Sequence, residues 1–197
     1  EYERLLSPRT RIVGITQVSN VLGTVNPIEL MVRMAHAQGA FTVIDGAQAV
    51  PHMPIDVRQL DADFYVFSGH KMYGPTGIGI LYGKRAILEQ MPPWQRGGGM
   101  ISNVTFAHTT FSHLPYKFEA GTGNIADAIG LGAAVDYLNR LGMENVEEHE
   151  RQLTTYALER LSELPHVHLI GTAQDKISVL SFLVDGVSPE GVGEYLN

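Results

Sequence analysis

Lys71 closes the tetrapeptide Ser68-Gly69-His70-Lys71, and an Asp-x-x-Gln pair, Asp45 and Gln48, precedes it. A lysine can condense with an aldehyde when its amine has a depressed pKa. A carboxylate can keep a pyridine-type ring nitrogen protonated, which turns the ring into an electron sink. A carboxamide offers a neutral donor to a ring oxygen, and hydroxyl, imidazole and backbone N–H groups suit a phosphate. These are the requirements of pyridoxal 5′-phosphate (PLP). Asp45, Gln48, Ser68, His70 and Lys71 supply each of those groups.

Such a set works only if the fold gathers it. Arg11 to Ser19 is an apolar, β-branched run and reads as a buried strand. Asn26-Pro27-Ile28-Glu29 reads as a helix start, with Asn26 as N-cap, Pro27 first and Glu29 third; Gly39 stops that helix. Phe41 to Ile44 is a second buried strand that delivers Asp45, and Asp63 to Phe67 is a third that delivers Ser68 to Lys71. Ile55 to Asp61 reads as a short helix or a turn between them. Gly77 to Tyr82 follows so closely that it reads as antiparallel. Strands alternating with helical or linking segments predict an α/β layered domain. In open α/β sheets, ligands bind beyond the carboxyl ends of the strands, where these polar residues fall.

Further along, Pro92 to Thr122 is rich in Gly, Pro, Ser, Thr and His and reads as a long functional loop with a short hairpin. Ala128, Leu131, Val135, Leu138 and Leu141 mark a helix stopped by Gly142. Val146, Leu153, Ala157, Leu161 and Leu164 mark a second one with a charged outer face. Val167 to Ile170 and Ile177 to Val184 read as strands, and Ser188-Pro189-Glu190 caps a last helix. A domain boundary is placed at Gly142.

The segments Thr42 to Ala49, Asp63 to Lys71 and Tyr73 to Gly79 closely resemble the class V aminotransferase family of PLP enzymes. The nearest members are the cysteine desulfurases of the SufS type, also called selenocysteine lyases. The likeness continues through Val18 to Gly23 and Phe118 to Thr122, and so covers most of the chain. It implies that Lys71 is the Schiff-base lysine and shuttles protons at the substrate carbon. It further implies that Asp45 meets the pyridinium nitrogen, Gln48 the 3′-oxygen, and Ser68 and His70 the phosphate. Asn20 matches a residue facing the substrate amino acid. Thr122 matches a threonine that reaches the PLP phosphate of the partner subunit in a homodimer. Where family members often read Gly-Thr-Pro-Asn, this chain has Gly121-Thr122-Gly123-Asn124, and Gly123 loosens that loop. The family's ring-stacking histidine falls upstream of Glu1. Its nucleophilic cysteine and carboxylate-binding arginine fall downstream of Asn197.

The resemblance implies an aspartate aminotransferase-like fold type I large domain over residues 1–141, incomplete at its start. The opening of a small α+β domain is expected over residues 142–197. The chain starts at Glu1 and stops within a helical pattern, so a fragment of a longer polypeptide is expected. The implied activity of the parent is desulfuration of L-cysteine, or L-selenocysteine, to alanine, with sulfur passed to an iron–sulfur assembly partner. Two other readings stay open at this point: a kynureninase-like or aminotransferase-like relative, and a non-catalytic scaffold retaining the fold.

Composition narrows these readings. The net charge of −7 argues against a broad electrostatic grip on nucleic acid or an anionic membrane. No apolar run approaches the roughly 20 residues of a membrane span, and no signal-peptide pattern opens the chain, so a cytoplasmic protein is expected. Cysteine is absent, which excludes disulfides, thiolate metal sites and a cysteine nucleophile within these residues. Gly97-Gly98-Gly99 lacks the strand, lysine and hydroxyl context of a phosphate loop and reads as a flexible turn. His108, His113, His166 and His168 make no metal set, although His166 and His168 share one strand face. The acidic run from Glu144 to Glu150 is a solvated helix start, favoured there by the helix dipole.

Overall fold

The computed structural model describes residues 1–197. A one-turn helix, α1 (Tyr2–Leu5), leads into β1 (Ile12–Thr16), α2 (Ile28–Ala37), β2 (Phe41–Asp45), β3 (Phe64–Ser68) and β4 (Gly79–Gly83). These four strands form one sheet in sequence order. The pairs β1–β2 and β2–β3 are parallel, and β4 returns antiparallel to β3, as its short approach requires. Helix α3 (Arg85–Gln90) and the hairpin β5 (Ile101–Val104) and β6 (Thr109–Phe111) occupy the long Gly- and Pro-rich region. Then follow α4 (Ile125–Leu141), α5 (Met143–Ser162), the antiparallel pair β7 (Val167–Ile170) and β8 (Ser181–Val184), and α6 (Pro189–Leu196).

Alternation along the strands separates two sheet faces. Val13, Ile15, Ile44, Tyr65 and Phe67 join Ile28 and Val32 of α2 in the main core, with Val50 and Ala62 closing it. Residues Ile28, Val32 and Ala35 recur at helical spacing and are buried, so α2 lays one apolar stripe on the sheet. The opposite sheet face carries Ile12, Phe41 and Leu81, exposed to 67%, 49% and 60%.

Asp63, just before β3, clamps the edge of the sheet opposite the strand carboxyl ends. Its carboxylate accepts the Thr42 N–H at 2.8 Å and the Thr42 hydroxyl at 3.2 Å. His36 Nε2 lies 2.9 Å away and Lys84 Nζ 3.1 Å. Burial alone would raise this carboxyl, but the bonds from His36, Thr42 and Lys84 outweigh it and hold its pKa below the ordinary value.

Three local expectations are corrected. Asn26 is not the N-cap of α2. Pro27 occupies that position, while the Asn26 amide donates to the Thr16 carbonyl at 2.8 Å and ties the loop back to β1. The strand read over Arg11 to Ser19 stops at Thr16, because Val18 turns to bridge Val25 in antiparallel fashion. The strand read from Ile177 begins only at Ser181, because the Ile177 N–H is drawn to the Gly23 carbonyl at 2.9 Å. The other end of α2 follows the sequence. Gly39, at φ 72°, sets a Schellman turn in which Ala40 N–H reaches Ala35 at 3.1 Å and Gly39 N–H reaches His36 at 2.9 Å.

Candidate active site

Parallel register places the polar residues together. Asp45 ends β2 opposite Thr16 of β1 and Val66 of β3. Ser68 stands two residues beyond Val66, so it faces the same side of the sheet as Asp45. A 3-10 turn over Gly69–Met72 then carries His70 and Lys71 past the strand end. Asp45 and Ser68-Gly69-His70-Lys71 thus occupy neighbouring strand ends, the position at which open α/β sheets bind ligands.

Each side chain has a definite setting. The Asp45 carboxylate accepts the Ala47 N–H at 2.9 Å and otherwise faces solvent. Gln48 lies half-buried in the turn after β2. Ser68 Oγ and His70 Nδ1 form a hydrogen bond of 2.7 Å, so hydroxyl and imidazole act as one unit. Lys71 is half-buried on the 3-10 turn. Helix α4 packs beneath that turn, with Pro75 against Gly130 and Gly74 against Leu131.

Asn20 and Thr122 arrive from further away. Asn20 is exposed in the turn after β1, which the Gly23 N–H closes onto the Ser19 carbonyl at 2.9 Å. That turn is braced from the C-terminal half by Ile177 and by the Ser181 hydroxyl, which donates to the Val21 carbonyl. Thr122 is also exposed, two residues before the α4 N-cap Asn124, whose amide donates to the Gly77 carbonyl at 3.1 Å. Gly121 N–H reaches Gly98 at 2.8 Å, so the glycine turn at residues 97–99 packs beside Thr122. No hydrogen bond joins Asn20 or Thr122 to Asp45, Ser68 or Lys71. His166, in the turn just before β7, and His168, within it, approach Asp185 at 3.9 and 2.7 Å. A cleft of about 430 Å³ opens elsewhere, among His52, Glu150, Arg151 and Lys176, and contains none of the strand-end residues.

A support beneath Asp45 escaped the sequence reading. Tyr65 is buried to 1% exposure, and its hydroxyl donates to Gln17 Oε1 at 2.6 Å. A Cβ on Gly46 would stand 2.0 Å from that phenol oxygen, so glycine is required beside Asp45 by close approach. Burial drives the Tyr65 phenol pKa far up, and the Asp45 carboxylate adds to the effect, so the group stays a neutral donor. The signal available in sequence was the glycine itself, directly after the strand-end aspartate.

The family model described as aminotransferase class-V matches residues 1–197. The chain belongs to that family. Within it, the chain is 52% identical over 197 residues to a cysteine desulfurase of Synechococcus elongatus, covering 100% of this chain and 32% of that protein. Among solved structures it is similar to the cysteine desulfurase CsdA from Escherichia coli, with TM-score 0.89 and 44% identity over 95% of this chain and 46% of that one. It also superposes on a mutant of C-DES that holds glycine covalently linked to its PLP cofactor, with TM-score 0.87 and 26% identity, covering 98% and 52% of the two chains. This class V aminotransferase-family chain therefore spans about a third to a half of the length of these relatives. The mixed sheet with parallel strands is part of the fold type I large domain, as the resemblance implied.

Proposed function

We propose that this chain is part of a PLP-dependent cysteine desulfurase. The observation that carries the reading is the in-register juxtaposition of Asp45 with the Ser68–Lys71 turn on adjacent parallel strands. The donor set fits the cofactor: an amine for its aldehyde, a solvent-facing carboxylate for its ring nitrogen, and a linked hydroxyl and imidazole for its phosphate. When bound, PLP supplies an electron sink that weakens bonds at the substrate amino acid.

The chain's own residues divide the remaining work. Lys71 Nζ anchors the cofactor aldehyde and, once displaced, takes the proton from the substrate α-carbon. Asp45 holds a proton on the ring nitrogen, and the Gln48 amide donates to the 3′-oxygen. Ser68 and His70 bind the phosphate, and Asn20 orients the substrate. In the reaction, the Cβ–Sγ bond of L-cysteine breaks, a protein thiol receives the sulfur as a persulfide, and alanine leaves. None of these 197 residues is cysteine, so that thiol comes from outside them.

The rest of the reading concerns the whole protein. Residues 1–141 belong to the large PLP domain and residues 142–197 open the small one. Thr122 reaches across a homodimer to the partner's cofactor phosphate. The persulfide passes to an acceptor protein in cytoplasmic iron–sulfur assembly, and L-selenocysteine is a second substrate. No helix is long and apolar enough to cross a membrane.

Borohydride reduction of the PLP-loaded whole protein, followed by peptide mapping, tests the anchor, and alanine and sulfide assays of that whole protein with L-cysteine test the reaction. The cofactor should be fixed on Lys71, lost in Lys71→Ala, and alanine should appear with sulfide under reducing conditions. Adduct on another lysine would sink the anchor, and PLP binding without alanine release would sink the desulfurase assignment.

A further inference from the structure

Tyr65 is bound to the sheet core, yet its polar end lies under the turn that presents Asp45. The hydroxyl meets Gln17 Oε1 at 2.6 Å, and Gln17 is itself buried at 6% exposure. Through its backbone, Gln17 donates to the Asp45 carbonyl at 2.8 Å and accepts the Asn26 N–H at 2.8 Å. In the same Asp45–Gly46 peptide unit, the Gly46 N–H donates to the Val66 carbonyl at 2.9 Å, next to Tyr65 in β3. The ring fills the space that a side chain at residue 46 would need. The peptide unit that follows Asp45 is therefore held at both its oxygen and its nitrogen beside this buried assembly, while the carboxylate itself has only the Ala47 N–H.

We propose that Tyr65 is a positioning residue for Asp45: its phenol, bonded to Gln17, fixes the Asp45–Gly46 peptide unit so that the Asp45 carboxylate meets the ring nitrogen of bound PLP. The proposal rests on the ring-nitrogen reading of Asp45. Ordering of this kind acts through geometry, because a carboxylate displaced by a fraction of an ångström loses directional contact with a fixed ring. Without the Tyr65 hydroxyl, Gln17 Oε1 is left buried without a donor, and the turn above it relaxes.

The test is the PLP affinity of four proteins: wild type, Tyr65→Phe, Asp45→Asn and the double variant. Thr42→Val serves as a control that loses a buried hydroxyl at the far end of the same strands. Affinity is read by cofactor absorbance, and stability by thermal unfolding of the cofactor-free protein. Tyr65→Phe should weaken PLP by about tenfold, whereas Thr42→Val should stay within about twofold although both lower the melting temperature. In the Asp45→Asn background, Tyr65→Phe should add little, since the residue it positions is gone. If Tyr65→Phe does not fold, Gln17→Met, which removes the acceptor, is read in the same cycle. A Tyr65→Phe loss no larger than that of Thr42→Val, or effects that add fully in the double variant, would overturn the proposal. An unchanged affinity in Asp45→Asn alone would instead overturn the ring-nitrogen reading, and the proposal with it.

Discussion

His52 Nδ1 and Glu150 Oε2 lie 2.8 Å apart, joining the turn after β2 to the middle of α5. The Ser178 hydroxyl donates to the same carboxylate oxygen at 2.9 Å, so one glutamate links three separate stretches of chain. The side chains of His52 and Glu150 are only 18% and 20% exposed, so water replaces the contact poorly. Glu150→Ala should lower the unfolding free energy by about 1–3 kcal/mol, and Glu150→Gln by less, because the amide oxygen can still accept the hydroxyl. Denaturant midpoints check this; an unchanged midpoint in the alanine variant would mean that the contact adds nothing.

A second expectation concerns Gly46. A methyl group there would clash with the ring of Tyr65, whose Oη, Cζ and Cε1 lie 2.0, 2.1 and 2.2 Å from the Cβ position. Gly46→Ala should therefore cost about 1–3 kcal/mol or more through overpacking. Tyr65→Phe should not relieve it, because two of the three clashing atoms remain. Tyr65→Leu should relieve it in part, giving a double variant more stable than the sum of the two losses. Full additivity in thermal unfolding would refute the steric account.

The Asp63 clamp carries a pH signature. Its folded pKa lies below the ordinary 3.8, so the unfolded chain takes up this proton first. The stability that it contributes is present above about 3.8 and is lost as pH falls through the lower folded value. Lys84 runs the opposite way. Burial would lower its pKa, but the bonds to Asp61 and Asp63 outweigh it, and the value rises above 10.5. Its contribution is present below 10.5 and is lost as pH climbs through the higher folded value. Asp63→Asn should reduce stability at neutral pH and flatten its fall between roughly pH 4 and pH 2. Urea midpoints across that range would contradict the assignment if the acid limb stayed unchanged.

Phosphate recognition by Ser68 and His70 separates two cofactor forms. His70→Ala should weaken PLP by about tenfold while leaving the affinity for pyridoxal, which lacks the phosphate, nearly unchanged. Ser68→Ala should act similarly, since the two side chains are joined at 2.7 Å. Equal losses for both ligands would move His70 away from the phosphate.

Much of this site was legible along the chain because its members sit next to strand ends, and strand ends announce themselves where an apolar run meets polar residues. Asp45 after Phe41 to Ile44, and Ser68 after the run from Phe64, are examples. The antiparallel return of β4 was legible as well, since ten residues separate it from β3 and a parallel crossover needs about a dozen or more. Asn26 was misread because a local capping pattern competes with long-range bonding. Its amide gains more from the Thr16 carbonyl, ten residues back, than from the helix beside it. The strand read from Ile177 shortened for the same reason, through a bond to Gly23 that no periodicity encodes.

The sequence by itself determined the residue types of the site, their strand ends and the family to which the chain belongs, because each is written in contiguous segments. Only the tertiary structure decided which residues support them. Tyr65 lies beside Ile44 through parallel pairing, and Gln17 reaches Tyr65 across 48 residues of sequence. Pairing of strands that are distant in sequence depends on register and burial, and those are properties of the packed sheet.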